Sequence, residues 1–518
     1  MAYALCPQKT NHPKEIIFMQ KLKLFINNEF VESKAKDFYE VFNPSTGAVL
    51  AKSPKCLLSE AESAVASASS AFKTWRYTPV IKRVQVLHKV RALIEERLDD
   101  LTLCVATEHG KTWAEAQGDV LKAKEATEHA IAMPELMMGE SLMDTSSGYD
   151  TVLYRESVGV YLGIAPFNFP AMIPMGWMVP LCIACGNTMV LKASSATPMT
   201  SLKFAEIYKE AGLPSGVLNV ITCGREEAEA LIAHPEVKGI SFVGSTSVGL
   251  SVYKNASIHG KRVQALCEAK NHALVLNDAP IKRVAAGIIN ASFGCAGERC
   301  MALPVVVAES GIADALVAEL IAQAKALKIG PAYDKTSQLG PVYSASHKES
   351  VLKWIEKGIK EGAKLVLDGR NATVKGYEKG FYLAPTIFDN VTEDMAIGKD
   401  EIFGPVLCIK RVNSFNEGLA LMNNSEFANG SVIYTQNGYF AREFAKKTDG
   451  GMVGINVGIP VPVGLFPFSG HKKSFFGDLH TLGKDAVMFY TETKCVTTHW
   501  FTEEEKLNTK VSTWDGTI

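Results

Sequence analysis

Apolar and polar positions alternate along the chain with two periods, one typical of strands and one typical of helices. Near the start, Leu22 to Val31 alternates residue by residue, which predicts one arm of a hairpin. Three longer segments repeat their apolar residues at helical spacing instead: Ser59 to Trp75, Val80 to Glu108 and Lys111 to Met133. We therefore expect three amphipathic helices that pack on a common surface.

From Ser157 onward, strand patterns and helix patterns follow each other regularly. The predicted strands are Val158 to Ala165, Thr188 to Lys192, Gly216 to Thr222, Ile240 to Val243 and Arg262 to Cys267. The helical patterns between them are Ala171 to Cys185, Ser201 to Ala211, Glu226 to Ala233 and Val248 to Ser257. Repeats of this length predict a mostly parallel sheet with helices on both faces. Ligands of such sheets bind at the carboxyl ends of the strands.

A second alternating unit follows Lys270. Its predicted strands include Ala273 to Leu276, Val305 to Ala308 and Val406 to Val412, and its first predicted helix is Ile281 to Cys295. We predict an α/β fold with two doubly wound parallel-sheet domains that meet near residue 271. The first would comprise residues 22–143 and 156–270, and the second residues 271–470. Residues 144–155 and 485–500 would form a β arm outside both.

Composition excludes several classes of partner. The chain has 54 basic and 55 acidic residues, so neither nucleic acid nor a membrane surface is expected to bind it. The apolar stretch from Val158 to Leu191 is interrupted by four prolines and by Asn168, which argues against a transmembrane helix. The eleven cysteines show no disulfide or metal spacing, and Met1 to Gln20 lacks the apolar core of an export signal. We expect a cytoplasmic protein without a metal site.

Cys300 is the candidate nucleophile. It follows a small-residue turn, with Gly294 and Gly297 expected to leave the thiol uncovered and Arg299 expected to favour the thiolate. The alternative is a small core residue, which most free cysteines are.

Two further stretches carry candidate chemistry at strand ends. Asn168 lies among apolar residues in Pro166 to Pro170, so its amide is either a loop cap or a donor to an oxyanion. The turn that contains Gly244, Ser245 and Gly249 opens a helix and could offer backbone N–H groups to a phosphate, although it is not the G-x-G-x-x-G motif.

These stretches together resemble the aldehyde dehydrogenase superfamily over residues 22 to 500. The motifs occur in that family's order: Phe167 to Pro170, Phe242 to Thr246, Ala296 to Cys300 and Glu401 to Pro405. More specific motifs resemble its methylmalonate/malonate-semialdehyde dehydrogenase branch, which usually transfers its acyl group to coenzyme A: Ala269 to His272, Gly297 to Ala302, Phe466 to Gly470 and Ser474 to Gly477.

The resemblance implies roles for individual residues. Cys300 would be the nucleophile, and Asn168 with the Cys300 N–H would bind the oxyanion. NAD or NADP would contact the following residues: Ala165, Phe167, Lys192, Ser195, Gly244, Ser245, Gly249, Cys267 and Glu401. Glu401 would hold the nicotinamide-side ribose and Lys192 the adenosine ribose. The arm would build a homodimer or homotetramer.

Three departures from the family pattern refine these expectations. Ser195 replaces a Glu that repels a 2′-phosphate, so NADP should be less disfavoured. Lys122 replaces an Arg thought to grip the substrate carboxylate, and an ammonium lacks the planar fork. Leu266 occupies the position of the general-base Glu of water-using members. Glu268 could still take that role if it shares a strand face with Leu266.

The sequence therefore predicts an NAD(P)-dependent oxidation of a small anionic aldehyde, with Arg299 and Lys122 near the substrate anion. The first candidate is a malonate- or methylmalonate-semialdehyde dehydrogenase that uses coenzyme A. The alternative is a hydrolytic dehydrogenase for 3-sulfolactaldehyde or succinate semialdehyde.

Overall fold

The structure is a computed structural model that describes residues 20–507. The expectation about an export signal therefore falls almost entirely outside the described residues. The first elements are β1 Gln20–Lys21, β2 Leu24–Ile26, β3 Glu29–Val31, β4 Phe38–Asn43, β5 Ala48–Pro54, α1 Leu58–Trp75, α2 Val80–Glu96, α3 Leu98–His109, α4 Trp113–Ile131 and α5 Met133–Leu136. The next are β6 Ser141–Ser146, β7 Tyr149–Ser157, β8 Val160–Ile164, α6 Val179–Ala184, β9 Thr188–Lys192, α7 Pro198–Glu210, β10 Leu218–Ile221, α8 Arg225–Ala233, β11 Val237–Val243, α9 Thr246–Ile258 and β12 Arg262–Leu266.

The remaining elements begin with β13 His272–Val275, α10 Ile281–Phe293, β14 Val305–Glu309, α11 Ser310–Lys325, α12 Ala345–Lys360, β15 Lys364–Leu367, β16 Thr386–Asp389, β17 Val406–Val412 and α13 Phe415–Asn423. They continue with β18 Phe427–Ala428, β19 Gly430–Tyr434, α14 Gly438–Lys447, β20 Met452–Ile455, β21 His471–Lys472, β22 Phe475–Gly477, α15 Gly483–Tyr490 and β23 Thr491–His499. Within residues 20–507, no helix is long and apolar enough to cross a membrane.

The predicted helix over residues 80–108 is two helices. Arg97 leaves the helical conformation (φ −102°, ψ 19°) between α2 and α3. Asp99 and Asp100 then lie in the first turn of α3, where carboxylates interact favourably with the helix dipole. The apolar period continues across the break because both helices pack on one cluster, to which Leu87 and Leu101 belong.

The first large sheet has a parallel centre in the order β12-β11-β8-β9-β10, with antiparallel β22 at one edge and β2 and β3 at the other. Successive side chains of β8 face opposite sides. Tyr161 packs into the cluster with α2, α4 and α6, while Leu162 packs into the cluster with α1 and α9. Helices therefore cover both faces, as the sequence predicts, and the α/β fold class is confirmed.

The second large sheet has the order β15-β16-β17-β14-β13-β19-β20, and all its pairs are parallel except β15 with β16. It is also buried on both faces, since Leu274 and Ala273 of β13 belong to different apolar clusters. The nucleophile turn joins α10 to β14, the neighbour of β13 in this sheet.

A separate antiparallel sheet is formed by β6, β7 and β23. The pairing of β7 with β23 runs from Ser157 opposite Thr491 to Tyr149 opposite His499. Residues 485–490, which we placed in this arm, instead belong to α15. Phe489 and Tyr490 are almost fully buried there, and the Tyr161 hydroxyl donates to the Phe489 carbonyl (2.7 Å).

Candidate active site

The turn before Cys300 uses a rare backbone conformation. Cys295, Ala296 and Gly297 all have positive φ angles, of 49°, 53° and 78°. Only Gly adopts such angles without strain, so two non-glycine residues here mark a turn fixed by its surroundings. A Cβ at Gly297 would lie 2.2 Å from the Gly404 carbonyl oxygen, so this glycine permits close approach of the segment after Glu401. The sequence suggested that Gly297 uncovers the thiol, but the group that a Cβ here would meet is the Gly404 carbonyl.

The backbone after this turn is clamped by two asparagines. Nδ2 of Asn271 donates to the carbonyl oxygens of Cys300 (2.9 Å) and Ala302 (2.8 Å), and Nδ2 of Asn429 also donates to Cys300 (3.2 Å). Oδ1 of Asn271 accepts from the Gly430 N–H (2.7 Å), which fixes its amide orientation. Asn429 is not among the residues that the sequence patterns pointed to. Its only signal was a polar residue next to a glycine before a buried strand.

The thiol of Cys300 is half-buried and holds its proton strongly. Burial, together with the nearby carboxylate of Glu401, raises its pKa to about 12. The backbone N–H groups of Cys300 and Met301 and the charge of Arg299 lower the pKa by less. Arg299 thus acts in the direction the sequence predicted, but burial outweighs its charge, so the thiol form predominates at neutral pH.

Three of the five N–H groups of the Arg299 guanidinium bond protein groups. It donates to Glu115 Oε1 (3.0 Å), Cys295 Sγ (3.2 Å) and the Asn290 carbonyl (3.3 Å). A Cβ at Gly294 would lie 2.4 Å from this guanidinium, so Gly294 makes room for Arg299 rather than for the thiol. The ion pair with Glu115 offsets the positive charge beside the nucleophile.

Asn168 is buried and held at both ends. Its Nδ2 donates to the Glu298 carbonyl (3.1 Å), and its own carbonyl accepts from Lys111 Nζ (2.6 Å). Lys111 is also buried and pairs with Asp119 (3.0 Å). The structure therefore brings Asn168 to the nucleophile turn, with the second hydrogen of its amide left over from the bond to Glu298.

Lys122 is not where we expected it. It lies on the exposed side of α4, where Nζ pairs with Glu125 Oε2 (2.6 Å) and the two side chains are 46% and 38% exposed. The buried face of α4 carries Asp119, Val120 and Ala123 instead. The expectation of a buried charge-assisted contact at Lys122 is wrong, because the helical period turns this residue outward.

The predicted cofactor residues collect at one edge of the first sheet. Each group follows the carboxyl end of a central parallel strand: Ala165 and Phe167 after β8, Lys192 and Ser195 at the end of β9, Gly244 and Ser245 after β11, and Cys267 after β12. This is the edge at which doubly wound sheets bind ligands.

The space and the hydrogen-bond donors at the carboxyl ends of these strands fit a dinucleotide. A Cβ at Gly249 would lie 2.3 Å from Cys267 Sγ, so glycine lets the first turn of α9 pack onto the sheet edge. Helix α9 begins after Ser245, which directs its N-terminal N–H groups toward the edge. Lys192 is half-buried, and its side-chain ammonium has no hydrogen-bond or ion-pair partner in the described part of the chain.

Glu268 caps the same helix. Its Oε2 accepts from the Thr246 N–H (3.0 Å), and its own N–H donates to Thr246 Oγ1 (3.3 Å). Strand β12 ends at Leu266, so Glu268 lies beyond the strand and does not share a strand face with Leu266 as predicted.

Glu401 is fixed next to this cap. Its Oε1 accepts from the Ala269 N–H (3.0 Å), and Lys270 Nζ holds the preceding turn through the carbonyls of Ile397 (2.7 Å) and Asp400 (2.6 Å). Burial, with the nearby Glu268 charge, raises the pKa of Glu401 to about 8.

A comparison with protein families decides the classification. The model of the aldehyde dehydrogenase family matches residues 30–496. The chain belongs to this family. A malonate-semialdehyde dehydrogenase of Geobacillus kaustophilus is 50% identical over 93% of this chain and 99% of its own.

Two solved structures of the family are also similar. A putative methylmalonate-semialdehyde dehydrogenase of Sinorhizobium meliloti, complexed with NAD, is 40% identical, with a TM-score of 0.92 over 94% of this chain and 99% of its own. A methylmalonate-semialdehyde dehydrogenase of Oceanimonas doudoroffii is 40% identical, with a TM-score of 0.92 over 94% and 100%. The resemblance drawn from the motifs is thus confirmed, while the residue roles stay predictions.

Proposed function

We propose that this aldehyde dehydrogenase oxidises malonate semialdehyde, or its methyl-substituted analogue, with NAD or NADP and transfers the acyl group to coenzyme A. The observation that carries the proposal is the 50% identity with a malonate-semialdehyde dehydrogenase over nearly the full length of both chains. The comparisons do not favour the alternative substrate 3-sulfolactaldehyde.

Covalent catalysis would begin at Cys300. Its thiol must lose a proton, because only the thiolate is nucleophilic enough to attack the aldehyde carbon. The new S–C bond moves an electron pair onto the carbonyl oxygen. Asn168 would donate the free hydrogen of its amide to that oxygen, and the Cys300 N–H is proposed to donate as well.

The residues at the sheet edge would hold the cofactor. Glu401 would accept from the nicotinamide-side ribose, Lys192 and Ser195 would contact the adenosine ribose, and Ser245 would contact the diphosphate. When bound, the nicotinamide supplies the acceptor for the hydride that leaves the aldehyde carbon. Cys300 then carries a thioester. Ser195 brings no carboxylate to the adenosine side, so a 2′-phosphate meets no added repulsion there.

The residues at the position of the family's general base favour a thiol over water as the acceptor of the acyl group. Leu266, at the position of the family's general base, is apolar and only 5% exposed. Glu268 is engaged by Thr246 rather than aimed at a water. Attack by the coenzyme A thiol on the thioester returns Cys300 to its thiol and forms the acyl-coenzyme A, so it needs no activated water.

We propose Arg299 rather than Lys122 as the cation that faces the substrate carboxylate. Arg299 adjoins Cys300 in sequence and is mostly buried, whereas Lys122 forms a half-exposed pair with Glu125. A homodimer or homotetramer built through the β arm, and a cytoplasmic location, are part of the same proposal.

The test is a substrate panel in single-turnover and steady-state assays. Malonate semialdehyde, succinate semialdehyde and 3-sulfolactaldehyde are each offered with and without coenzyme A, and the products are identified. We expect a burst of reduced cofactor with malonate semialdehyde and turnover only when coenzyme A is present. Cys300→Ala should abolish the burst while still binding cofactor, because it removes only the nucleophile. Free acid released at the same rate without coenzyme A would overturn the proposed acceptor.

A further inference from the structure

A buried carboxyl group lies directly behind the nucleophile turn. Glu298 is two residues before Cys300, and its side chain is 0% exposed. Its Oε1 accepts from the Tyr343 N–H (3.1 Å). Its Oε2 faces Nε2 of His109 at 3.8 Å, and neither of these atoms has a hydrogen-bond partner among residues 20–507. Unsatisfied buried polar atoms are rare in folded proteins and call for a physical reason.

The hydrogen bonds of the two neighbouring histidines fix where their protons are. Nδ1 of His109 accepts from the Lys111 N–H (3.2 Å), so a neutral His109 carries its proton on Nε2, toward Glu298. His347 Nε2 lies 3.5 Å from Glu298 Oε1 and bonds the Phe403 carbonyl (2.7 Å), so it carries a proton as well. Burial lowers the pKa of both histidines, which keeps them neutral.

The distance of 3.8 Å between Oε2 of Glu298 and Nε2 of His109 fits a protonated Glu298 carboxyl. A proton on Oε2 of Glu298 would face the Nε2–H of His109, and two donors cannot form a hydrogen bond. Burial raises the pKa of Glu298 well above its ordinary range, while the Tyr343 N–H and the charge of Lys111 lower it by less. If the carboxyl ionised, the His109 N–H would gain an acceptor and the gap would close.

Glu298 is linked to the proposed oxyanion site through one hydrogen bond of its backbone. The carbonyl of Glu298 accepts one of the two Nδ2 hydrogens of Asn168 (3.1 Å). The direction of the remaining hydrogen, which is proposed to bind the oxyanion, therefore depends on where the Glu298 carbonyl lies. The Glu298 side chain, held by Tyr343 and facing His109, anchors the residue that carries this carbonyl.

We propose that Glu298 is a positioning residue whose protonated carboxyl, held between the Tyr343 N–H and the His109 imidazole, fixes the amide of Asn168 in its oxyanion-binding orientation. Ionisation of Glu298 draws the carboxylate toward His109 and turns the amide away. Catalysis then falls at alkaline pH through Glu298 rather than through the thiol of Cys300. The inference rests on the proposed thioester chemistry, but it holds for any aldehyde that adds to Cys300.

Two substitutions test the proposal by the burst rate of reduced cofactor between pH 6 and 10. Glu298→Gln keeps the shape, the acceptor for Tyr343 and a donor toward His109, but it cannot ionise. It should lose no more than about threefold at neutral pH and should lack the alkaline fall of the wild type. Glu298→Ala should slow the burst about ten- to a hundredfold, with cofactor Kd unchanged.

A double substitution separates positioning from a general loss of structure. If Glu298 acts through Asn168, Glu298→Ala in an Asn168→Ala background should cost little beyond Asn168→Ala alone. The control is Glu108→Gln, which alters a buried carboxyl that bonds the N–H groups of Met199 and Thr200 instead. It should leave the alkaline fall in place.

A wild type without an alkaline fall, an alkaline fall that persists in Glu298→Gln, or additive losses in the double variant would overturn the inference. The assay uses whichever aldehyde of the panel gives a wild-type burst, with propanal included. Failure of malonate semialdehyde to react therefore counts against the substrate proposal and not against the role of Glu298.

Discussion

Positive charges near the proposed site differ in how they are paired. Arg299 donates to Glu115 within a mostly buried pair, whereas Lys122 and Glu125 share a half-exposed pair. Exposed ion pairs contribute only about 0–1 kcal/mol, while charge-assisted contacts in a buried site contribute about 1.5–3 kcal/mol. The two residues should therefore respond very differently to substitution.

We expect Lys122→Ala to lower kcat/KM for malonate semialdehyde by less than about threefold and Arg299→Ala to lower it about ten- to a hundredfold. Propanal, which has no carboxylate, is the matched control substrate, and Arg299→Ala should affect it less. A loss at Lys122 that is large and confined to the charged aldehyde would return Lys122 to the substrate site.

Cofactor choice is a second property set by single residues. Ser195→Glu should lower the ratio of kcat/KM for NADP to that for NAD by about tenfold, because a carboxylate would accept from the ribose hydroxyls and repel a 2′-phosphate. Ser194→Glu is the control. Ser194 adjoins Ser195, and its Oγ is already used by the Ala196 N–H (3.3 Å). An unchanged ratio in Ser195→Glu would show that this position does not select the cofactor.

At the scale of elements, the sequence predicted the Gly-rich turn before α9 but not the Glu268 carboxylate that caps this helix. Glu268 reaches the helix because β12 ends at Leu266 and the chain then leaves the strand direction. Strand periodicity carries no information beyond a strand's last residue, so only the structure reveals this cap. The Glu268 carboxylate therefore engages a helix N-terminus that a cofactor diphosphate could use.

Competition for this N-terminus gives a prediction. Glu268→Gly should tighten the binding of ADP several-fold, because it frees the Thr246 N–H and removes a negative charge, while adenosine binding should not change. Glu268→Gln keeps an acceptor but no charge, so its affinity for ADP should lie between those of the wild type and Glu268→Gly. Calorimetric titration of the whole protein measures all three. Weaker ADP binding in Glu268→Gly would mean that the carboxylate organises the site instead of competing for it.

At the scale of the whole molecule, the two sheets followed from sequence periodicity because their central strands are buried on both faces. The structure departs from the sequence predictions where one residue or one contact determines the path of the chain. Arg97 divides a helix whose apolar period continues unbroken, and Phe489 and Tyr490 pack as helix rather than strand. Lys122 was placed by motif position alone, and motif position does not report which way a helical side chain faces.

The β arm provides the last prediction. In the single chain, strand β6 is exposed along its whole length, with Leu142 61% and Met143 77% exposed, and Val496 of β23 is 39% exposed. Apolar side chains on a projecting sheet are typical of a surface that a second copy covers.

We expect a dimer or tetramer by analytical ultracentrifugation and a shift to smaller species in Leu142→Glu with Met143→Glu, because burying these charges in an interface is costly. Tyr77→Glu, at a residue 77% exposed outside the arm, is the matched control and should leave the assembly unchanged. A monomeric wild type, or an arm variant that assembles normally, would contradict the prediction.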